Sequence, residues 1–495
     1  QRVLRGEAGS PVIAMLAPPR QVGRGVPLVI PPTSLDGSCS SSEDIAGRVN
    51  RQGWLTKYCL PLVAVAAIVA IFLQVTEGSA LWNKLTGKQA TTMMIGDGIP
   101  LSLGDTDLNE ENEFIIWFSE RYMKEHTLQE ACKDLPGNPD VMTGSTGLPA
   151  CILRTTGAKI KTFFSKHNLH FDGNKGIILI EADAEVPQGL DIPVPDSTKS
   201  WTGSSYRWNL DRIDDVEPVY DKTYATPNPQ GQGVHIYILD TGIRTTHADF
   251  EGRAIPTLET YQGRVRECMP TDLECAKDLN GHGTHVAGIA AGKISGVAKQ
   301  ATIHAVKAGD DKGSFKLSWA VKAIDWIVSK GQRPAIISMS MNSKPTSEYL
   351  HFSLDTAVQD AYHAGVPVVV SAGNWQEDGG GNDACKNTPG REESAVTVAY
   401  SSQGDRRGVY SNYGSCVDFF APGECIVSAS HLDDTSYVVK TGTSQAAPLT
   451  AGVGAVGLSL GITPQTLKSW LVSQSVKDKI ADTRGTPNRL LHMSS

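Results

Sequence analysis

The chain has 495 residues, of which 40% are hydrophobic and 20% charged, and its net charge is −8. The length is too great for one ordinary domain, and the composition excludes a wholly disordered or low-complexity protein. No Lys/Arg-rich run is present, so no nucleic-acid partner is expected.

Residues 1–57 are rich in Pro, Gly, Ser and Arg without a sustained period and read as a disordered N-terminal region. Tyr58–Val75 is a nearly uncharged apolar run of 18 residues, at the lower limit for crossing a bilayer. Arg48, Arg51 and Lys57 precede it and Glu77 follows, which puts the N-terminus in the cytosol and the rest outside. Two readings stay open: an uncleaved signal anchor, or a cleaved signal with a long leader cut near 78–80. Either makes the remainder secreted or extracytoplasmic and membrane-anchored, with a single membrane anchor in the first case.

Residues 76–112 read as a polar linker. The next segment, 113–190, reads as a small α+β module. Glu113–Ser119 has strand character, and Thr127–Leu135 is a helix opened by a Thr cap and closed before Pro136. Lys159–Lys166 forms a second helix, and Gly176–Val186 is a strong strand signal. Residues 191–207 read as an exposed linker. From 208 to 495, apolar runs alternate with helical patterns. The runs are His235–Leu239, Thr302–Val306, Ala335–Met339, Val366–Val370 and Ala395–Val398. This pattern predicts an α/β fold with a mostly parallel central sheet flanked by helices.

Three glycine-rich segments carry chemistry. Asp240 ends the first apolar run, where open parallel sheets place their sites. His282 lies in Asn280–His285 (NGHGTH), before a helix of small residues. Ser444 lies in Gly442–Pro448 (GTSQAAP). A serine hydroxyl needs an imidazole to take its proton, and the imidazole needs a carboxylate to fix its tautomer. His282 and His285 lack the i,i+4 spacing and the glutamate of a zinc-protease pair, so metal ligation there is not expected.

These motifs, in the order Asp, His, Ser, resemble the subtilisin-like serine proteases, and most closely their proteinase K-like branch. The resemblance covers about 208–495 and implies a serine endopeptidase acting on protein or peptide substrates. It implies that Ser444 is the nucleophile, His282 the general base and Asp240 its orienting partner. Asn374, in Ser371–Asn374 (SAGN), would donate to the oxyanion beside the serine N–H. Pro448 would break a helix on propensity alone, but the family motif carries the same proline, so a helix is kept. Gln445 and Leu449 depart from the usual Met and His.

The resemblance further assigns two substrate-binding edges. One is Gly313, Ser314 and Phe315, the last bulkier than the family glycine. The other is Ser340, Met341 and Asn342, with Asn342 replacing a glycine at the specificity pocket. Ala372 and Gly373 complete the set. Segment 113–190 resembles, more loosely, an inhibitory propeptide, which makes the chain's own propeptide a partner and puts a processing site in 191–207. A calcium ion is implied at Asp418, with the carbonyls of Glu393 and Ala395. Of nine cysteines none forms a CxxC pair. A Cys385–Cys416 bridge is implied by the family, with Cys268–Cys275 and Cys132–Cys151 as further pairs and Cys425 left free. A rival reading is a catalytically silent binding protein that retains its propeptide.

Overall fold

The long apolar runs become strands because each is buried on both faces, as parallel strands covered by helices require. The computed structural model describes residues 92–95, 99–103, 108–133, 135, 139–142, 150–166, 176–183, 185–187, 207–342, 352–374 and 380–493, all within one unit spanning 39–495. The expected disordered region 1–57, the apolar segment 58–75 and the linker 191–207 up to residue 206 lie outside the described residues. Among the described residues no single helix is long and apolar enough to cross a membrane.

The N-terminal module contains β1 (Thr92–Ile95), β2 (Ile99–Ser102), β3 (Glu111–Phe118), α1 (Glu120–Met123), α2 (Leu128–Lys133), β4 (Asp140–Met142), β5 (Ala150–Thr156), α3 (Gly157–Lys166) and β6 (Ile177–Ala182). Among the described residues its sheet has the order β1-β2-β6-β3-β5-β4. The expected linker 76–112 therefore contributes two strands; their shortness and the glycines beside them hid the signal. Side chains of β3 alternate in the strand period of two. Phe114, Ile116 and Phe118 face the module's own core, while Ile115 and Trp117 face the larger domain. Helix α2 opens on a capping box, with Glu130 N–H donating to Thr127 Oγ1 and Thr127 N–H to Glu130 Oε2. The strand expected over Gly176–Val186 divides after Ala182, and β7 (Glu185–Pro187) leaves the module.

The larger domain runs through α4 (Trp208–Asp214), β8 (His235–Asp240), β9 (Ala254–Glu259), β10 (Arg266–Glu267), α5 (His282–Ala291), β11 (Thr302–Lys307), β12 (Ser314–Lys316), α6 (Leu317–Lys330) and β13 (Ala335–Met339). It continues with α7 (Phe352–His363), β14 (Val368–Ser371), β15 (Val396–Ser401), β16 (Phe419–Pro422), β17 (Ile426–Ala429), β18 (Tyr437–Lys440), α8 (Thr443–Ser459), α9 (Pro464–Gln474), β19 (Val476–Lys477) and β20 (Arg489–Leu490). The central sheet has the order β10-β9-β11-β8-β13-β14-β15-β16-β20-β19. Every neighbour pair from β9 to β20 is parallel; the outermost pairs β9–β10 and β19–β20 are antiparallel. The chain leaves β8 toward β9 and β11 on one side and returns to β13 on the other. The carboxyl end of β8 is thus a topological switch point, where a crevice opens.

One face of the sheet packs on α5 and α8, the other on α6 and α7. The apolar face of the N-terminal module lies on α6 and α7, so these helices sit between two sheets. Three disulfides match the expected pairs: Cys132–Cys151, Cys268–Cys275 and Cys385–Cys416, with Cα separations of 5.8, 5.6 and 5.4 Å. The last closes a span of 31 residues, which on the chain-entropy account stabilises by roughly 3–4 kcal/mol. Cys425 is also disulfide-bonded, which corrects the expectation of a free thiol. That expectation counted only the seven cysteines after the apolar segment.

Candidate active site

Asp240 is the last residue of β8 and is buried. His282 is the first residue of α5 and is fully buried. Its Nδ1 lies 2.8 Å from Asp240 Oδ1 and 3.0 Å from Oδ2. An ionised carboxylate only accepts, so Nδ1 carries the proton. Asp240 Oδ1 also accepts the Thr241 N–H at 2.8 Å, which fixes the carboxylate plane.

The approach of α5 to β8 depends on glycine. A Cβ on Gly283 would lie 2.0 Å from the Gly242 carbonyl oxygen. Asp278, which no sequence motif singles out, organises the start of this helix. Its Oδ1 accepts the N–H groups of Asn280 and Gly281 at 3.0 and 2.8 Å. Its Oδ2 accepts Thr284 N–H and Oγ1–H at 2.8 and 2.6 Å. Thr241 Oγ1–H donates to Oδ1 at 2.9 Å and itself accepts Gly283 N–H at 3.0 Å. The carboxylate takes up orphan N–H donors of the helix start and favours its positive end. His285 is structural: its Nε2 lies 3.1 Å from the carbonyls of Ile426 and Val438.

Ser444 is the second residue of α8, a helix buried almost throughout. Its Oγ is buried without a hydrogen-bond partner among the described residues. The helix survives Pro448 because the carbonyl that loses its partner finds another. Pro448 has no N–H for the Ser444 carbonyl four residues back. Ser340 Oγ–H donates to that carbonyl at 3.0 Å instead. Ser340 thus ties the end of β13 to the turn carrying Ser444.

Asn374 follows β14. Its Oδ1 accepts both Thr443 N–H and Thr443 Oγ1–H at 3.0 Å. Two donors on one atom identify that atom as oxygen, so the amide nitrogen points the other way. Nδ2 lies close to the residue before α8, since a Cβ on Gly442 would be 2.8 Å from it. The preceding Gly373 has φ +97, and a Cβ there would meet Asn342 Oδ1 at 2.6 Å. Asn342 Nδ2–H donates to Ser371 Oγ at 3.2 Å, so this side chain is held against the 371–374 segment. Asn412, also missed, supports the segment: its Nδ2–H donates to the Ala372 carbonyl at 3.0 Å and its N–H to that of Gly373 at 2.9 Å.

Met341 and Ala372 are fully buried. Phe315 is fully buried too, its ring against Gly309. The extra bulk at this position therefore faces the core, not the crevice. The backbone edge of β12 is paired antiparallel with β7: Ser314 with Pro187, Phe315 with Val186 and Lys316 with Glu185. Gly313 precedes that edge with φ +85.

Two carboxylates of the N-terminal module, both missed, reach the same region. Asp183 accepts Ser318 N–H on Oδ1 and Ser318 Oγ–H on Oδ2, each at 2.7 Å, at the start of α6. Glu181 Oε1 accepts Ser353 N–H at 3.0 Å at the start of α7 and Trp117 Nε1–H at 3.1 Å. Burial pushes the Glu181 carboxyl up to about 8 and moves that of Asp183 in the same direction.

The expected calcium ligands do come together, but around a side chain. Asp418 Oδ1 and the carbonyls of Glu393 and Ala395 all lie within 3.0 Å of Lys468 Nζ. A different oxygen cluster is formed by Asp211 in α4 with Asp215 and Asp221 after it, their carboxylate oxygens within 4.8 Å of one another.

Comparison with known proteins agrees with this architecture. The Subtilase family (Peptidase S8) model matches residues 231–492, more than half of the chain. An extracellular serine proteinase of Thermus sp. (strain Rt41A) is 38% identical over 58% of this chain and 65% of its own length. Alkaline serine exoprotease A of Vibrio alginolyticus is 36% identical over 58% of this chain and 50% of its own length. A crystal structure of a cold adapted subtilisin-like serine proteinase superposes with a TM-score of 0.52 at 37% identity, covering 59% of this chain and 100% of that one. The chain thus belongs to the Subtilase family. It spans about half to two thirds of the length of these curated relatives.

Proposed function

We propose that this chain is a serine endopeptidase that hydrolyses peptide bonds and is made as a zymogen. The observation that carries the reading is the buried pair of Asp240, at the end of β8, and His282, at the start of α5, a helix packed against α8, whose second residue is Ser444. Ser444 Oγ attacks the scissile carbonyl carbon while His282 Nε2 takes its proton. The same proton passes to the leaving amine, and water then cleaves the acyl-enzyme by the reverse route. Asp240 keeps the proton on Nδ1 and stabilises the imidazolium. The oxyanion is held by Asn374 Nδ2–H and the Ser444 N–H, which lies in the first turn of α8 and lacks an intrahelical acceptor.

Substrate adds to β12 as an extended strand, where main-chain pairing gives affinity independent of sequence. The N-terminal module is the inhibitory propeptide: β7 already holds that edge, and Asp183 and Glu181 anchor the module to α6 and α7. Disulfides and the extracellular relative support a secreted or extracytoplasmic protein.

Ser444→Ala is expected to abolish peptide cleavage and also self-processing in 191–207. Labelling with a fluorophosphonate, read by mass spectrometry at Ser444, separates an active protease from a silent binding protein. Asn374→Ala should lower kcat by roughly 10²–10³-fold, the size known for the oxyanion asparagine of subtilisin. Mature protein from the Ser444→Ala variant in a protease-free system would end the self-processing part of the proposal.

A further inference from the structure

The family resemblance puts a calcium ion between Asp418, Glu393 and Ala395, and the donors present do not fit one. Lys468 projects from α9 into the middle of the set. Its Nζ lies 2.8 Å from the Glu393 carbonyl, 2.7 Å from the Ala395 carbonyl and 3.0 Å from Asp418 Oδ1. An ammonium has three N–H donors and no acceptor. Here it faces three oxygens, donating to the two carbonyls and pairing as an ion with the Asp418 carboxylate. Asp418 Oδ2 is engaged as well, accepting Thr397 N–H at 2.8 Å. Calcium needs about six to eight oxygens at about 2.3–2.6 Å. The point on which these oxygens converge is filled by nitrogen at hydrogen-bond distance.

We infer that Lys468 is a tethered cation standing where relatives of this fold would place a metal, and that this site does not require calcium. The contact is more than a surface ion pair, which alone contributes little. The Lys468 side chain is 27% exposed and that of Asp418 12%. Two of the three acceptors are backbone carbonyls just before β15, and the third lies just before β16. The ammonium therefore clamps α9 to two strand entrances at once. A metal would do the same only when the medium supplied it; the lysine does it in any medium. The inference does not depend on the peptidase reading, because its readout is stability.

The test uses the full chain carrying Ser444→Ala, to prevent self-digestion, and Asp221→Asn, to disable the separate acidic cluster. Melting is followed in about 5 mM EDTA and in about 5 mM calcium chloride. The parent Tm should move by less than about 1 °C between the two media. Adding Lys468→Ala should lower Tm in EDTA by about 5 °C. Calcium, unlike magnesium, should restore at least half of that loss by binding the vacated oxygens. If the Ala variant folds only when calcium is present, the inference is also supported. Lys468→Met fills the space without charge and should lose stability with no calcium rescue. The inference is overturned by a parent that calcium stabilises as much as the Ala variant. It is equally overturned by an Ala variant that melts with the parent in EDTA, or by one that calcium fails to rescue.

Discussion

Two groups of helix starts in this molecule are capped by carboxylates, and they differ in where the carboxylate comes from. Helix α5, which carries His282, is capped by Asp278 of the same domain. Helices α6 and α7 are capped by Asp183 and Glu181 of the N-terminal module. The Asp278 cap is complete, with both oxygens accepting several donors. The Glu181 cap is half complete: Oε1 accepts two donors, and Oε2 is buried without a partner among the described residues. A cap supplied from within holds a site rigid at all times. A cap lent by another module gives that module a grip that can be released.

The strongest test of this contrast removes the internal cap. Asp278→Ala leaves the buried Gly281 and Thr284 N–H groups and the part-buried Asn280 N–H without their acceptor and should cost on the order of 4 kcal/mol in urea unfolding. Activity should fall with it, since His282 begins the same turn. Asp183→Ala should instead leave unfolding of the larger domain nearly unchanged and speed hydrogen exchange in the first turn of α6. If the two variants lose similar stability, the distinction between internal and lent caps fails.

The pH response of the lent cap is the next largest effect. Burial raises the Glu181 carboxyl from 4.5 to about 8 in the docked state. A group raised on docking favours the docked state fully below its ordinary value. That contribution is lost as pH rises through about 8. Docking of the N-terminal module should therefore weaken between pH 5 and pH 8.5. Hydrogen exchange at the start of α7, corrected for intrinsic rates, measures it. Glu181→Gln keeps the acceptor oxygen and removes its titration, so the pH slope should fall to the part contributed by Asp183, which burial raises in the same direction. An unchanged pH slope in this variant would assign the effect to another group.

What was legible beforehand followed physical rules. Buried parallel strands read as continuous apolar runs, so β8, β11, β13, β14 and β15 were located within a few residues. Asp240, His282, Ser444 and Asn374 stand out in the sequence because each lies in a glycine-rich turn at an element end. Asp278, Asp183, Glu181 and Lys468 were invisible for the opposite reason. A single charged residue beside a helix or strand looks the same whether it meets water or caps a distant element. Strands β1 and β2 were lost because four residues carry too little periodicity. Phe315 was read by its size, when the strand period turned that size into the core.

Gln445 gives the smallest effect and sharpens the comparison. It is buried beside Ser444, yet neither its Oε1 nor its Nε2 has a hydrogen-bond partner among the described residues. Asp278 is equally buried and also polar, but it is satisfied. If satisfaction, not polarity, decides which buried groups stabilise this domain, the two should respond in opposite directions to an apolar replacement. An unpaired buried amide costs about 1–3 kcal/mol. Met has a similar length and no donor to strand, so Gln445→Met should raise the unfolding free energy by about 1–2 kcal/mol. Denaturant midpoints in the Ser444→Ala background measure this without interference from self-cleavage. A loss of stability in Gln445→Met would mean that the amide is satisfied in solution, by water or by the chain. The contrast with Asp278 would then be one of degree only.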